Sequence, residues 1–151
     1  MIELAVLAAA VAAAVAVGIL LRRNEGRVRA SAAAQPDATS PRRELLAAAG
    51  LVANRPAVLH FSADWCGPCA AVRRVVAGTV AEFADAPAPP LDLEIDIDAD
   101  PALAKELSVL SLPTTFVFDA DGRERFRISG VPKAADLRST LAPLTRANAE
   151  E

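Results

Sequence analysis

The chain has 151 residues, a net charge of −3 and 53% hydrophobic residues, a size that points to a single folded domain. Charge is unevenly spread: residues 1–43 carry six arginines against three acids, and residues 44–151 carry ten basic against sixteen acidic residues. The distal part is therefore mildly acidic and has no basic patch for nucleic acid. Both cysteines lie in one local motif, which excludes a structural disulfide framework and leaves the compartment open.

Leu4 to Leu21 is an apolar run of eighteen residues, eight of them alanine. With its flanks it reaches about 20 residues, which at ~1.5 Å per residue matches a hydrocarbon core of roughly 30 Å. No polar face interrupts it, so a buried soluble helix is disfavoured. A cleaved signal peptide is the stronger rival, because Ser31-Ala32-Ala33-Ala34 contains an A-x-A-like site. That site lies thirteen residues beyond Leu21, and the n-region Met1-Ile2-Glu3 has no basic residue. The expectation is a permanent single-span anchor over residues 1–23, including its basic flank. Arg22, Arg23, Arg27 and Arg29 follow the span, so the positive-inside rule places the distal domain in the cytoplasm; anchoring of the arginines to headgroups is the alternative. Residues 24–41 read as a linker, Pro-, Ser- and Ala-rich from Ala30 to Pro41, and residues 42–151 as the folded domain.

Within that domain, Ser40 and Pro41 predict a helix start, and Asn54-Arg55-Pro56 its end. Val58–Ser62 is apolar apart from His60 and predicts a buried central strand. Ala70–Phe83 predicts a helix, and Ala86–Pro90 a loop. Leu91–Ile97 alternates apolar and acidic residues, the period of a strand. Asp100-Pro101 caps a helix through Leu107. Thr114–Phe118 and Arg123–Ser129 predict a hairpin across Asp119–Gly122, and Lys133–Thr145 a last helix that Pro143 distorts. The order from Arg42 is α-β-α-β-α-β-β-α. It implies an α/β fold, a mixed sheet flanked by helices, behind the N-terminal transmembrane helix. Strands separated by helices are expected to run parallel through right-handed crossovers.

The chemistry concentrates in Trp65-Cys66-Gly67-Pro68-Cys69, where two thiols in C-x-x-C spacing stand at a strand-to-helix junction. Half a zinc site is the competing reading, but zinc needs four ligands and the chain has no third cysteine and one histidine, His60. The acids from 92 to 100 lack the glycine and terminal glutamate of a calcium loop and read as an outer strand face and helix cap. Asp64 reads as a solvated residue beside the motif.

Residues from about Arg42 to Thr145 resemble a thioredoxin domain. The resemblance rests on Trp65-Cys66-Gly67-Pro68-Cys69 followed by Ser111-Leu112-Pro113-Thr114-Thr115, ahead of a strand and a Gly-containing hairpin. It implies thiol–disulfide exchange without a bound cofactor or metal. Cys66 is expected to open the helix as the nucleophile, where free backbone N–H groups and the helix dipole favour a thiolate. Cys69, one turn on and facing inward, is expected to resolve the mixed disulfide. Pro113 matches a cis-proline of the family; Trp65, Gly67, Pro68, Leu112 and Thr114 complete the substrate-binding set. The Gly-Pro spacer is that of reducing thioredoxins. The chain departs from the family at His60, where most members have a buried Asp, and at Glu94, where many have a Lys. The family's first strand is not evident, because the linker occupies its place.

His60 shares a face with Val58 and Ser62, beneath Cys69 by resemblance, with Glu94 as the expected neighbour. Either it is a base for the second half-reaction or it is a core histidine bonded to a carbonyl. The implied partners are protein disulfide substrates, an electron donor (a reductase or a membrane thiol carrier) and the membrane itself. With reversed topology the same chemistry would serve cytochrome maturation or envelope proteins outside the cytoplasm. A redox-inactive scaffold is the reading from a different class.

Overall fold

The computed structural model describes residues 2–24, 26–31 and 40–146. Its organising strand is β2 (Ala57–Ser62), in which all six residues are buried. Such a strand must be covered on both faces, and its alternation assigns one core to each. Ala57, Leu59 and Phe61 enter a core with Leu46 of α2 (Pro41–Ala48), Leu103 of α4 (Pro101–Glu106), Leu107, Phe116 and Phe118. Val58 points the other way, into Val72 and Val76 of α3 (Cys69–Ala81), Val117, Ile128, and Leu137 and Leu141 of α5 (Ala134–Leu141). Two helices on each face thus sandwich the sheet. Burying each of these large apolar side chains contributes about 1.5–3 kcal/mol.

The five-stranded sheet has the order β1 (Val28–Ala30), β5 (Glu124–Ser129), β4 (Thr114–Phe118), β2, β3 (Leu91–Asp96). β3 (Leu91–Asp96) runs parallel to β2, as the intervening helix requires. β4 (Thr114–Phe118) does not follow the parallel expectation: it pairs with β2 antiparallel, Phe61 opposite Thr114 and Ala57 opposite Phe118. α4 returns the chain past β3 to the far side of β2, so the direction of β4 is set by where it lands. β5 (Glu124–Ser129) closes the expected hairpin, with Asp119 holding the turn: its Oδ1 accepts from the backbone N–H groups of Asp121 and Arg123. Asp100 caps α4 as expected, accepting from Leu103 N at 3.0 Å. Ser40 occupies the N-cap position of α2, but its hydroxyl is buried without a partner, and only its carbonyl serves the helix, accepting from the N–H groups of Arg43 and Glu44. α5 stops at Leu141, two residues before Pro143, shorter than its apolar pattern implied.

The N-terminal part differs most from expectation. α1 (Ile2–Asn24) is a 23-residue helix, and its described side chains, Glu3 and Val6 to Leu20, are exposed. Counted over the described residues alone, no helix is long and apolar enough to cross a membrane. The side chains of Arg22 and Arg23, and residues 32–39 with eight of the eighteen residues of the expected linker and most of the A-x-A-like site, lie outside the described residues. Inside the segment read as linker, Val28–Ala30 forms β1, which pairs antiparallel with β5. Gly26, buried at φ +73°, leads into it; a Cβ there would meet the Val131 carbonyl oxygen at 2.4 Å. Such a contact leaves room only for glycine.

Glu124 joins these parts. It accepts from Ser31 Oγ at 2.6 Å, from Arg42 at 2.7 Å and from Arg127 at 3.1 Å, and its side chain is 10% exposed. Arg127 in turn lies over the Phe116 ring, 4.5 Å from its centroid. Burial pushes the Glu124 carboxyl up, but the hydrogen bonds from Arg127, Ser31 and Arg42, with the charge of Arg127, hold it below the ordinary value. A carboxyl lowered on folding stabilises the fold above the ordinary carboxylate range, and the contribution is lost as pH falls through the lowered value. Glu124→Gln should therefore cost on the order of 1–3 kcal/mol at neutral pH. In urea unfolding, its difference from the wild-type chain should shrink steadily as the pH is taken into the acid range; a difference independent of pH would refute the ionised clasp.

Candidate redox site

The site lies where β2 ends. Beyond Ser62 the chain turns through Asp64 and Trp65, and Cys66 N–H closes the turn on Ala63 O at 3.0 Å. The helix does not open at Cys66. Its first residue is Cys69 and its N-cap position is Pro68, so Cys66 stands in the turn ahead of it, its carbonyl accepting from Cys69 N–H at 3.2 Å. Pro68, which offers no N–H of its own, accepts at its carbonyl from Ala71 and Val72. Cys66 and Cys69 form a disulfide with Cα atoms 5.5 Å apart. The two sulfurs are not equivalent. Cys66 is partly exposed, whereas Cys69 is 3% exposed and its Sγ lies 3.8 Å from Phe61 O. The geometry therefore presents one sulfur of the pair at the start of a 13-residue helix and shields the other under the strand.

Across the sheet, the pairing of Thr114 with Phe61 brings the start of β4 beside the end of β2. The Leu112–Pro113 peptide is cis. Pro113 is buried, its carbonyl accepts from Gly130 N–H at 2.8 Å, and Thr114 Oγ1 donates to Ser111 O at 2.7 Å. Leu112 packs against the core of the α2/α4 face. Just before it Leu110 is 95% exposed, and in the other loop Trp65 is 69% exposed. Gly67 and Pro68 are exposed, and nothing lies within 4 Å of where a Gly67 side chain would begin. The strand pairing thus brings Trp65, Cys66, Gly67 and Pro68 to the same end of the sheet as Leu112, Pro113 and Thr114.

One residue of this end was not singled out from sequence. Trp65 Nε1 donates to Asp98 Oδ2 at 2.9 Å, and the Asp98 backbone N–H donates to Asp96 Oδ1. Asp98 read as part of an acidic strand face; the available signal was that an indole N–H usually finds an acceptor.

His60 lies within β2 with its side chain 2% exposed. Its partner is Asp92, not Glu94: Nε2 lies 3.1 Å from Asp92 Oδ1. Glu94 is opposite His60 in the parallel ladder but is turned to Arg73 of α3, which donates to it through two nitrogens. The Arg73 hydrogen bond outweighs burial and, with Ser62 and the charges of Arg73 and His60, holds the Glu94 carboxyl at about 2. On the other side His60 faces Thr115 of β4, whose hydroxyl is fully buried and has no hydrogen-bond partner. Among the described residues, no three His, Cys, Asp or Glu side chains gather as a metal site.

Trp65 is the sole tryptophan of the chain, so its fluorescence reports this loop alone. Asp98→Ala should shift its emission and change the quenching on reduction of the disulfide, while unfolding stability falls by no more than ~1 kcal/mol, the net worth of an exposed hydrogen bond. An unchanged spectrum in both redox states would show that the bond does not set the position of the indole.

Comparison with known proteins agrees with this geometry. The family described as Thioredoxin matches residues 46–143. A thiol:disulfide interchange protein DsbD of Ralstonia nicotianae is 35% identical over 130 residues, covering 77% of this chain but 21% of that protein, so the chain spans about a fifth of that relative's length. A thioredoxin of Pyropia yezoensis is 37% identical over 89 residues, 58% of this chain and 78% of that one. Among solved structures, a thioredoxin-2 described as a component of the malaria parasite protein secretion machinery shares the fold, with a TM-score of 0.53 and 24% identity over 62% of this chain and 86% of that one. The family match covers more than half of the chain and takes in both the disulfide turn and the cis-proline, so the chain belongs to the thioredoxin family and is a thiol–disulfide oxidoreductase.

Proposed function

We propose that this chain is a membrane-anchored protein-disulfide reductase working through Cys66 and Cys69. The observation that carries the reading is the asymmetry of the pair: an outer sulfur on Cys66 and an inner one on Cys69. In the reduced form, the Cys66 thiolate attacks a substrate disulfide, forming a mixed disulfide and releasing one substrate thiolate. Backbone N–H groups of the first turn of α3 and the helix dipole favour that thiolate. The Cys69 thiolate then attacks Cys66 Sγ, the substrate leaves fully reduced, and the Cys66–Cys69 disulfide remains. Two electrons have passed to the substrate, so the exchange balances without a bound cofactor and a separate donor must restore the dithiol. Trp65, Gly67 and Pro68, with the half-buried Leu112 that leads into Pro113 and Thr114, form the surface that an extended substrate meets.

Cys69 must lose a proton in a buried place. Val58, on the same face of β2 as His60, packs against Val72 of α3, one turn beyond Cys69. On this reading His60 takes that proton, and Asp92, bonded to the ring and partly exposed, orients it. The anchor is α1, whose apolar run Leu4–Leu21 is long enough for a span in sequence. The arginines after it favour a cytoplasmic domain. Likeness to a thiol:disulfide interchange protein supports exchange with other thiol proteins; a second reading has the same residues working outside the cytoplasm in the opposite orientation.

Three outcomes test the proposal. Cys66→Ser should abolish reduction of insulin disulfides, and Cys69→Ser should accumulate the mixed disulfide; faster alkylation of Cys69 than of Cys66 in the reduced protein would reverse the roles. A C-terminal alkaline phosphatase fusion should be inactive and a fluorescent-protein fusion bright, and the opposite pattern would place the domain outside. Release of the mixed disulfide should show a pH step that His60→Leu removes while Cys66 alkylation is unaffected. An unchanged profile in the folded variant would make His60 purely structural.

A further inference from the structure

The strand registers locate the anchor relative to the disulfide. β2 ends at the redox turn, and Phe61 near that end pairs with Thr114 at the start of β4. Thr114 pairs with Ser129 at the end of β5, and Ile128 pairs with Val28 at the start of β1. Gly26, just before β1, donates its N–H to Ser129 O at 2.6 Å, and Gly130 N–H reaches Pro113 O. The junction between α1 and the sheet is therefore at the same end as Cys66 and the cis-proline. The Asp119–Gly122 turn and the start of β2 lie at the opposite end, a strand length of roughly 20 Å away.

Distances along and across the sheet make this a close placement. Asn24 is two residues ahead of Gly26, no more than about 7 Å along the chain. From β1 to β2 there are three strand spacings of ~4.8 Å, about 14 Å. The docking is not a loose one, since Gly26 is wedged under the Val131 carbonyl and Ser31 is bound to Glu124 at the other end of β1.

We infer that β1 holds the redox end of the domain towards the bilayer, so that the partner disulfide is one carried close to the membrane surface by an integral membrane protein. The inference rests on the reading of α1 as an anchor. The step is the exchange already described: the reduced Cys66–Cys69 pair gives two electrons, the membrane protein's S–S bond is broken to two thiols, and the S–S bond between Cys66 and Cys69 is formed. A disulfide on a long extramembrane domain would lie beyond the reach of a site that faces the surface and is tethered within about 20–25 Å of it.

The test uses the full chain, reduced beforehand, in phosphatidylcholine vesicles. Two single-span peptides serve as substrates, one with its disulfide loop next to the bilayer, the other with the loop raised on a helical spacer of ~40 residues, about 60 Å. Single-turnover reduction of the near loop should be at least tenfold faster. Inserting about 20 Gly/Ser residues between Asn24 and Gly26 keeps β1 and the site intact but lengthens the tether to an r.m.s. reach of roughly 25 Å. The insertion should bring the two rates together while soluble insulin is reduced at the original rate. Vesicle flotation separates the failures. A chain that floats with the vesicles yet reduces both loops equally, or the raised loop faster, overturns this inference alone. A chain that does not float overturns the anchoring reading, and this inference with it.

Discussion

Burial of β2 on both faces is the constraint on which the rest depends. A strand with no solvent face needs two cores, and its alternation divides them: Leu59 and Phe61 belong to the side of α2 and α4, Val58 to the side of α3 and α5. Cross-strand pairing with β4 then fixes which residues of the next loop reach its end. The disulfide turn and the cis-proline are forty-odd residues apart in sequence, and only this pairing makes them one site. Packing energy spread over two cores, at about 1.5–3 kcal/mol for each large apolar side chain, thus holds a catalytic geometry in which few strong local interactions take part.

The same burial creates a polar problem in the interior. His60 is buried on the face it shares with Val58 and Ser62, and solves it by reaching the edge strand, where Asp92 is partly exposed. A buried imidazole bonded to a carboxylate at the rim has a route for protons that an isolated core histidine lacks. Thr115, directly opposite, has no such route and leaves its hydroxyl unpaired. An unsatisfied buried hydroxyl costs about 1–3 kcal/mol. That is a departure from good packing directly beside the buried imidazole.

Much of this was legible in the sequence, for a physical reason in each case. The alternation from Leu91 onward marks a half-buried strand, and β3 shows that pattern as an edge strand. Asp100-Pro101 and Asp119–Gly122 carry their own local chemistry, and both behave as their side chains dictate. What failed were the non-local properties. Nothing in Thr114–Phe118 says whether its neighbour will be β3 or β2, so the direction of β4 could not be read. Val28–Ala30 is too short to show a period, and its partner β5 lies a hundred residues away. Glu94 was the expected neighbour of His60 by resemblance, and the ladder does set the two opposite, but a side chain chooses by charge: Glu94 goes to Arg73 and leaves Asp92 to the ring. Asp98 was hidden because its role depends on where Trp65 comes to rest.

β1 has three residues, of which only Val28 is even half-buried. A strand that short has little affinity of its own for the edge it joins. It stays because the chain runs on from Ser31 to Ser40 and makes pairing intramolecular, at the high effective concentration that a short connection provides. The continuity of that connection therefore carries much of the attachment. A single proteolytic cut between Ser31 and Ser40 would turn a covalently held domain into one held by non-covalent contacts such as those of Gly26, β1 and Ser31. Dilution would then carry it away from α1 with Cys66 and Cys69 still in place.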